Sequence, residues 1–344
     1  MRDQNLTVRV AGDDAIEFWD AFVHENAGTY CHLFGWRQVL ASAYGLRCHY
    51  LTVSRGDDLL AVIPLAETPR LPWGARQVVS LPYCNYGGMV ARPGEDKDML
   101  LDAVLRHLAT LDIPRLELRD VAPGFAHTVE VSMKLVLPGS EEELWRSVGD
   151  KVRNQVRKAT RAGLELRWGR DQGQELYGIY SANMGRLGSP VHSRRFVLGI
   201  LDVFREQTDI LTVRLAGKAI GAMLVLRHQD IWIDPVASCL AEFNPLSPAM
   251  LLYWEALRQA CAAKAGAFDL GRSRKGSGTH RFKRQWGARE VPLHYHSYVA
   301  GRPVAEASTD FYRSPRASLA AHLWAWLPSV VHNRLGPVVR RWVP

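Results

Sequence analysis

No stretch of the 344-residue chain approaches the ~20 consecutive apolar residues of a bilayer-spanning helix. The opening Met1-Arg-Asp-Gln-Asn lacks the apolar core of a secretory leader, so a cytoplasmic protein is expected. Cysteine is scarce: Cys31, Cys48, Cys84, Cys239 and Cys261 are odd in number, scattered, and without a C-x-x-C pair. That argues against a disulfide framework and against a zinc knuckle. The nucleophile elbow G-x-S-x-G is missing, and no cysteine is accompanied by a His/Asn pattern, which disfavours a covalent acyl-enzyme. The phosphate-binding spacings G-x-x-x-x-G-K-[ST] and G-x-G-x-x-G are absent too. Neither a helix-turn-helix nor an aromatic platform is present, so DNA is not an expected partner.

What remains is an ordinary globular composition, 47% apolar and 23% charged, which excludes disorder and fibrous repeats. The length favours two domains over one. A weak internal echo supports this. Residues 50–66 and 211–226 both alternate apolar and polar positions around a Gly-containing turn, Ala-Gly-Lys in the second, as antiparallel hairpins do. Each is followed by a helical pattern running into a strand, 100–120 and 250–273, with Pro114 and Gly266 as helix stops. The chain thus reads as two copies of one α/β unit. Between them, 141–168 reads as a helix with Ser140 as N-cap, Glu141–Glu143 at its positive end and Gly163 as its cap. The boundary is set near 137–140, at Pro138-Gly139, giving domains 1–138 and 139–300 and a tail 301–344.

Three constellations could carry chemistry. Lys151, Arg153, Arg157, Lys158 and Arg161 crowd one helix, and like charges at i, i+4 destabilise it unless an anion is near. A phosphate-bearing ligand and a merely solvated basic face both remain open. Residues 268–287, FDLGRSRKGSGTHRFKRQWG, combine glycines, hydroxyls and cations in a predicted flexible loop, with Arg272, Ser273 and Thr279 as anion-binding candidates. Within it Lys283, between Phe282 and Trp286, could neutralise a developing oxyanion or lie on Trp286 at the surface. The loop 186–196 offers His192 and Arg194 as pocket residues. His294 and His296 share a strand face but find no third ligand, so no metal site is expected.

These segments resemble FemAB-type proteins, and more narrowly the FemAB-like proteins associated with PEP-CTERM/exosortase and exopolysaccharide gene sets. The matching residues are RNQVRKATRAGLEL (153–166), RLGSPVHSRRF (186–196), NPLSPAMLLYWEALRQA (244–260) and the 268–287 run, with weaker matches at 81–90 and 327–342. The resemblance implies two tandem acetyltransferase-like (GNAT, BioF2-like) domains with mixed central sheets flanked by helices. It also implies that the last strands can pack back on the first domain. It further implies transfer of an acyl or aminoacyl group to an amine or hydroxyl of a cell-envelope or exopolysaccharide precursor, and puts the lysine of the FK motif on Lys283. Apart from Arg214-Leu-Ala-Gly-Lys-Ala219 in the predicted hairpin turn, no Q/R-x-x-G-x-G/A spacing of a pyrophosphate loop is found, and neither is a coiled-coil arm. The donor, acyl-CoA or aminoacyl-tRNA, therefore stays open, and no tightly bound cofactor is expected. A scaffold that only binds anionic intermediates is the non-enzymatic alternative. On this reading Asp269 orients Arg272 or acts as a base, and Arg153, Arg157 and Lys158 hold phosphates. The tail 318–343 mixes Trp324, Trp326 and Trp342 with Arg334, Arg340 and Arg341, which suits contact with the inner face of an anionic membrane; packing on the body or on another subunit is the alternative.

Overall fold

The computed structural model describes residues 6–69, 76–121, 127–304, 324 and 326–342. Among them the chain forms two compact units. The first comprises the residues up to Thr128, those from Pro292 to Val304 and those from Val338 on; the second comprises Val129–Val291 and the later described residues up to Pro337.

The first unit is built from β1 (Leu6–Val10), α1 (Ile16–Glu25), α2 (Trp36–Tyr44), β2 (Cys48–Arg55), β3 (Asp58–Glu67), β4 (Gln77–Ser80), β5 (Val90–Ala91), α3 (Lys97–Thr110) and β6 (Arg115–Asp120). The second follows with β7 (His127–Val136), α4 (Glu141–Ser147), α5 (Asp150–Arg161), β8 (Glu165–Trp168), α6 (Gly173–Arg186), α7 (Arg194–Val203), β9 (Thr208–Leu215), β10 (Lys218–His228), β11 (Ile231–Cys239), α8 (Pro248–Ala262), β12 (Ala267–Arg274) and α9 (Gly278–Arg284). Strands β13 (Arg289–Val299) and β14 (Arg302–Val304) and helix α10 (Ser329–Arg341) complete the described elements.

Each unit has a mixed sheet. In the first the order is β1-β2-β3-β4-β6-β13, and in the second β8-β9-β10-β11-β12-β7. The strands from β1 to β4 and from β8 to β11 pair antiparallel, as expected of the two hairpins. In both units the next pairing is parallel and short. Gln77–Val79 lies beside Arg115–Glu117, and Ile231–Ile233 beside Ala267–Asp269. The last strand then closes each sheet antiparallel, His294–Val299 on Asp120–Arg115 and β7 on β12.

The turn of the second hairpin is the pair Ala216-Gly217, both with positive φ (48° and 78°), while Lys218 already opens β10. Two left-handed residues give the turn the twist of the flanking strands. The helix stops differ from the expected Pro114 and Gly266. Both α3 and α8 end in the same Schellman closure: Asp112 and Lys264 turn left-handed (φ 54° and 57°), and Ile113 and Ala265 donate back to Leu108 and Ala260. Sharing one cap strengthens the reading of a repeated unit. Gly266 serves a close approach instead, since a Cβ there would lie 2.4 Å from Asp230 Oδ2.

The segment 141–168 is two helices and a strand rather than one helix. Ser140 does cap α4, but Val148 and Gly149 are extended (ψ 142° and 160°), which breaks the backbone ladder before α5. Residues 318–323 of the tail lie outside the described residues. In α10, His332 is buried, stacked on Trp324, and bonded to its carbonyl at 2.7 Å; Gly185 of α6 leaves the space that His332 fills. No described helix is long and apolar enough to cross a membrane.

Candidate active site

The parallel pairing of β11 and β12 stops at Ile233 and Asp269. Beyond that point β12 pairs only with β7, through an irregularity between Asp269 and Arg272 where Gly271 takes φ +75°. Only glycine adopts that conformation at little cost. Into this interruption comes Lys283. Its seven-residue helix α9 is capped by the Ser277 hydroxyl on the His280 N–H. It is anchored by Glu290, which meets His280 Nε2 and Lys275 Nζ at 2.9 Å each. The expected flexible loop is thus short and held. Arg272 and Ser273 belong to β12, while Thr279, Phe282 and Lys283 belong to α9.

Lys283 is 8% exposed and is not a surface lysine lying on Trp286. Its Nζ donates to the carbonyls of Gly271 (3.1 Å) and Arg272 (2.9 Å), leaving one of three N–H groups uncommitted among the described residues. Burial pushes its pKa down, opposed first by Asp234 and then by Asp269. Asp269 is buried and accepts from the Ser132 hydroxyl and the Gly271 N–H, each at 2.8 Å. Burial raises its pKa against those two hydrogen bonds and the charge of Lys283. Asp234, from β11, is equally enclosed. One of its oxygens accepts from the Tyr253 hydroxyl of α8, the other is buried without a side-chain partner among the described residues, and burial lifts its pKa from 3.8 to about 6 against the pull of Lys283. Phe282 and Trp286 stand against Tyr253 at 5.0 and 6.3 Å between ring centroids. The Trp286 Nε1 and the Ser273 hydroxyl are buried without partners among the described residues.

A buried lysine whose charge is opposed by two buried carboxylates of the adjoining strands can stabilise developing negative charge strongly, because little water screens it. Among the described residues the first unit lacks this. Glu117 holds the place of Asp269, but Arg119 of the same strand neutralises it at 2.8 Å and stacks on Tyr295 at 5.2 Å. Ser80 stands where Asp234 does and accepts the Arg119 N–H. The following loop bonds back to β6 through Gly87 N–H to Arg119 O.

The remaining candidates separate from this cluster. Arg153 is a structural cap: its guanidinium donates to the carbonyls of Trp145 (3.1 Å), Arg146 (3.4 Å) and Val148 (2.6 Å) and to Asp150 (2.6 Å), satisfying the open end of α4. Arg157 lies over the Trp145 ring at 5.3 Å, and Lys158 is exposed. With Trp254, Leu251 and Arg258, Arg157 lines a groove of about 680 Å³ on the α8 face that also carries Glu255. The Tyr253 hydroxyl points instead to Asp234. His192 is buried and stacked on Phe196 at 4.4 Å, with its carbonyl accepting from Tyr177; Arg194 opens α7 at the surface. No cluster of three metal-ligating side chains occurs among the described residues. Asp234, Tyr253 and Ser132 were not visible as site residues in the sequence. The available signal was a lone carboxylate inside the apolar run Ile231–Val236.

Residues 146–284 match the family model of the acetyltransferase (GNAT) domain. No curated protein matches the sequence. Among solved structures, FemX superposes with a TM-score of 0.67 at 12% identity, covering 89% of this chain and 99% of that one. The C-terminal domain of a putative lysylphosphatidylglycerol synthetase from Agrobacterium fabrum gives 0.55 at 13% identity, covering 92% and 96%. A tandem GNAT protein from the clavulanic acid biosynthesis pathway gives 0.54 at 11%, covering 86% and 98%. At these identities the likeness is one of fold, a mixed α/β architecture of tandem GNAT type. The GNAT domain marks the chain as a transferase, and its matched span contains Asp234, Tyr253, Asp269 and Lys283.

Proposed function

We propose that the second unit transfers an acyl or aminoacyl group directly to an amine or hydroxyl of a cell-envelope or exopolysaccharide precursor. The observation that carries this reading is Lys283, buried at the point where two parallel strands part, inside the segment that matches a GNAT domain. In the reaction the acceptor nitrogen or oxygen bonds to the donor carbonyl carbon, and the bond from that carbon to the carrier's oxygen or sulfur breaks. The acceptor loses a proton and the carrier gains one. Lys283 stabilises the intermediate oxyanion or the departing atom through its uncommitted N–H. Arg272, Ser273 and Thr279 lie close in sequence to this centre and are assigned to the donor's anionic part; Arg157 and Lys158 attract phosphate at longer range. His192 and Arg194 belong to the acceptor side of the unit in this scheme. Asp269 is a structural brace, not a base.

An aminoacyl donor is favoured over CoA by the β11–α8 connection. Leu240–Ser247 contains no glycine, and α8 begins at Pro248, which has no N–H to offer a pyrophosphate. The fold likeness to the lysylphosphatidylglycerol synthetase domain agrees with that preference. The narrower kinship with FemAB-like proteins of PEP-CTERM systems rests on the sequence segments. Peripheral contact with anionic lipid through 318–344 is supported by Trp326, 88% exposed, with Leu335 and Val338 also outward. The test is a parallel titration with acetyl-CoA, palmitoyl-CoA and lysyl-tRNA at two salt concentrations. Preference for charged over uncharged tRNA supports the reading. Saturable CoA binding moves the protein to a CoA-dependent acyltransferase, and binding of neither leaves a scaffold.

A further inference from the structure

With Arg153 engaged at the end of α4, the basic helix still carries Arg157 and Arg161, one turn apart on one face of α5. Like charges at that spacing cost helix stability unless an anion comes near. Both line the groove of about 680 Å³ on the α8 face. Its floor is apolar: Val156, Leu166, Leu251 and the indoles of Trp145 and Trp254, which meet edge to face at 4.6 Å.

On the α8 side the charges answer one another. Glu255 is buried and accepts from Trp168 (3.1 Å), from Gln259 (3.0 Å) and twice from Arg258 (2.9 and 3.0 Å). Arg258 also meets Glu141 of α4 at 3.4 Å, which leaves Glu142 as the remaining acid of the lining. The α5 wall differs. The Arg157 guanidinium lies over Trp145 at 5.3 Å and reaches only the Asn154 amide oxygen, at 3.5 Å. The Arg161 side chain makes no hydrogen bond or ion pair among the described residues.

We propose that this groove binds a lipid phosphate, with an apolar chain along the Trp145–Trp254 floor and the phosphate held by Arg157 and Arg161. Guanidinium forks match phosphate oxygens, to which each can donate two parallel N–H bonds. A bare phosphate would leave the apolar floor in water, and a neutral chain would leave both guanidiniums without a partner; the amphiphile satisfies both. The volume is that of a small-molecule site, far larger than an inorganic anion fills. Little is left to read the edge of a nucleotide base, because the Thr160 hydroxyl already donates to the Val156 carbonyl (3.1 Å) and Glu255 is saturated. The groove is separate from the Lys283 centre: on α8, Tyr253 bonds to Asp234 while the adjacent Trp254 lines the groove. The proposal goes beyond the transfer reading and does not depend on it.

The experiment is a calorimetric titration of the full-length protein with octyl phosphate below its micelle concentration, beside inorganic phosphate, octyl glucoside and AMP. Octyl phosphate should bind saturably, and inorganic phosphate and octyl glucoside at least about tenfold more weakly. Arg157→Gln combined with Arg161→Gln should weaken octyl phosphate at least about tenfold, the loss expected for charge-assisted hydrogen bonds. Leu166→Asn, on the floor, should weaken it while leaving inorganic phosphate unchanged. All three positions are exposed, so these variants keep the fold, which circular dichroism checks. Lys283→Ala should bind octyl phosphate as wild type does, so failure of the transfer reading leaves this test standing. Absence of saturable binding, equal binding by wild type and the double arginine variant, or tighter binding of AMP than of octyl phosphate overturns the proposal. Self-association that the double variant abolishes would give the groove to a second copy and overturn it as well.

Discussion

Replacing Asp234 with Asn should move stability in favour of the variant as pH rises from 4 to 8. Enclosure raises the Asp234 pKa from its ordinary 3.8 to about 6. A group whose folded pKa is raised contributes stability that is fully present below its unfolded pKa and is lost as pH climbs through the folded one. Each tenfold change in proton affinity is worth about 1.4 kcal/mol, so ionising Asp234 inside the fold costs about 3 kcal/mol by pH 8. Asn does not ionise and carries no such cost. The stability difference between Asp234→Asn and wild type should therefore move by about 3 kcal/mol in favour of the variant between pH 4 and pH 8. Urea denaturation of both proteins across that interval measures it, and the titrations of groups that do not interact with Asp234 cancel in the difference. A difference that stays flat, or moves the other way, would show that Asp234 is not enclosed as described.

Arg153→Ala should cost about 2 kcal/mol, because the carbonyls at the end of α4 lose a charged donor. It should leave donor binding unchanged, which separates the cap from a phosphate site. Trp326→Ser should reduce pelleting with phosphatidylglycerol vesicles, since this ring is the most exposed large apolar side chain described. Unchanged pelleting would remove the membrane contact.

Much of the fold was legible because it depends on local periodicity. The alternation in 50–66 and 211–226 and the helical spacing in 100–110 and 250–262 reappear as the hairpins and as α3 and α8. The helix stops were misassigned because non-glycine residues, Asp112 and Lys264, took the left-handed position that sequence rules reserve for glycine. The break at Val148–Gly149 was hidden because the helical apolar spacing runs on past it. At the site, Lys283 stood out by its aromatic neighbours. Arg153 misled because a basic residue looks the same whether it faces an anion or caps carbonyls. Asp234 and Tyr253 escaped notice because they are far apart in sequence and only the packing of α8 over β11 joins them.

The measurement closest to the central claim compares wild type with Lys283→Ala in one transfer assay. Labelled lysyl-tRNA and labelled acetyl-CoA are each incubated with an extract of cell-envelope and polysaccharide precursors, and label in the acceptor fraction is followed under single-turnover conditions. Loss of one oxyanion donor typically lowers rate by about 10²–10³-fold, and a loss of at least that size is predicted, with folding unchanged by circular dichroism. Transfer by Lys283→Ala at the wild-type rate would contradict the assignment of the reacting centre to this cluster.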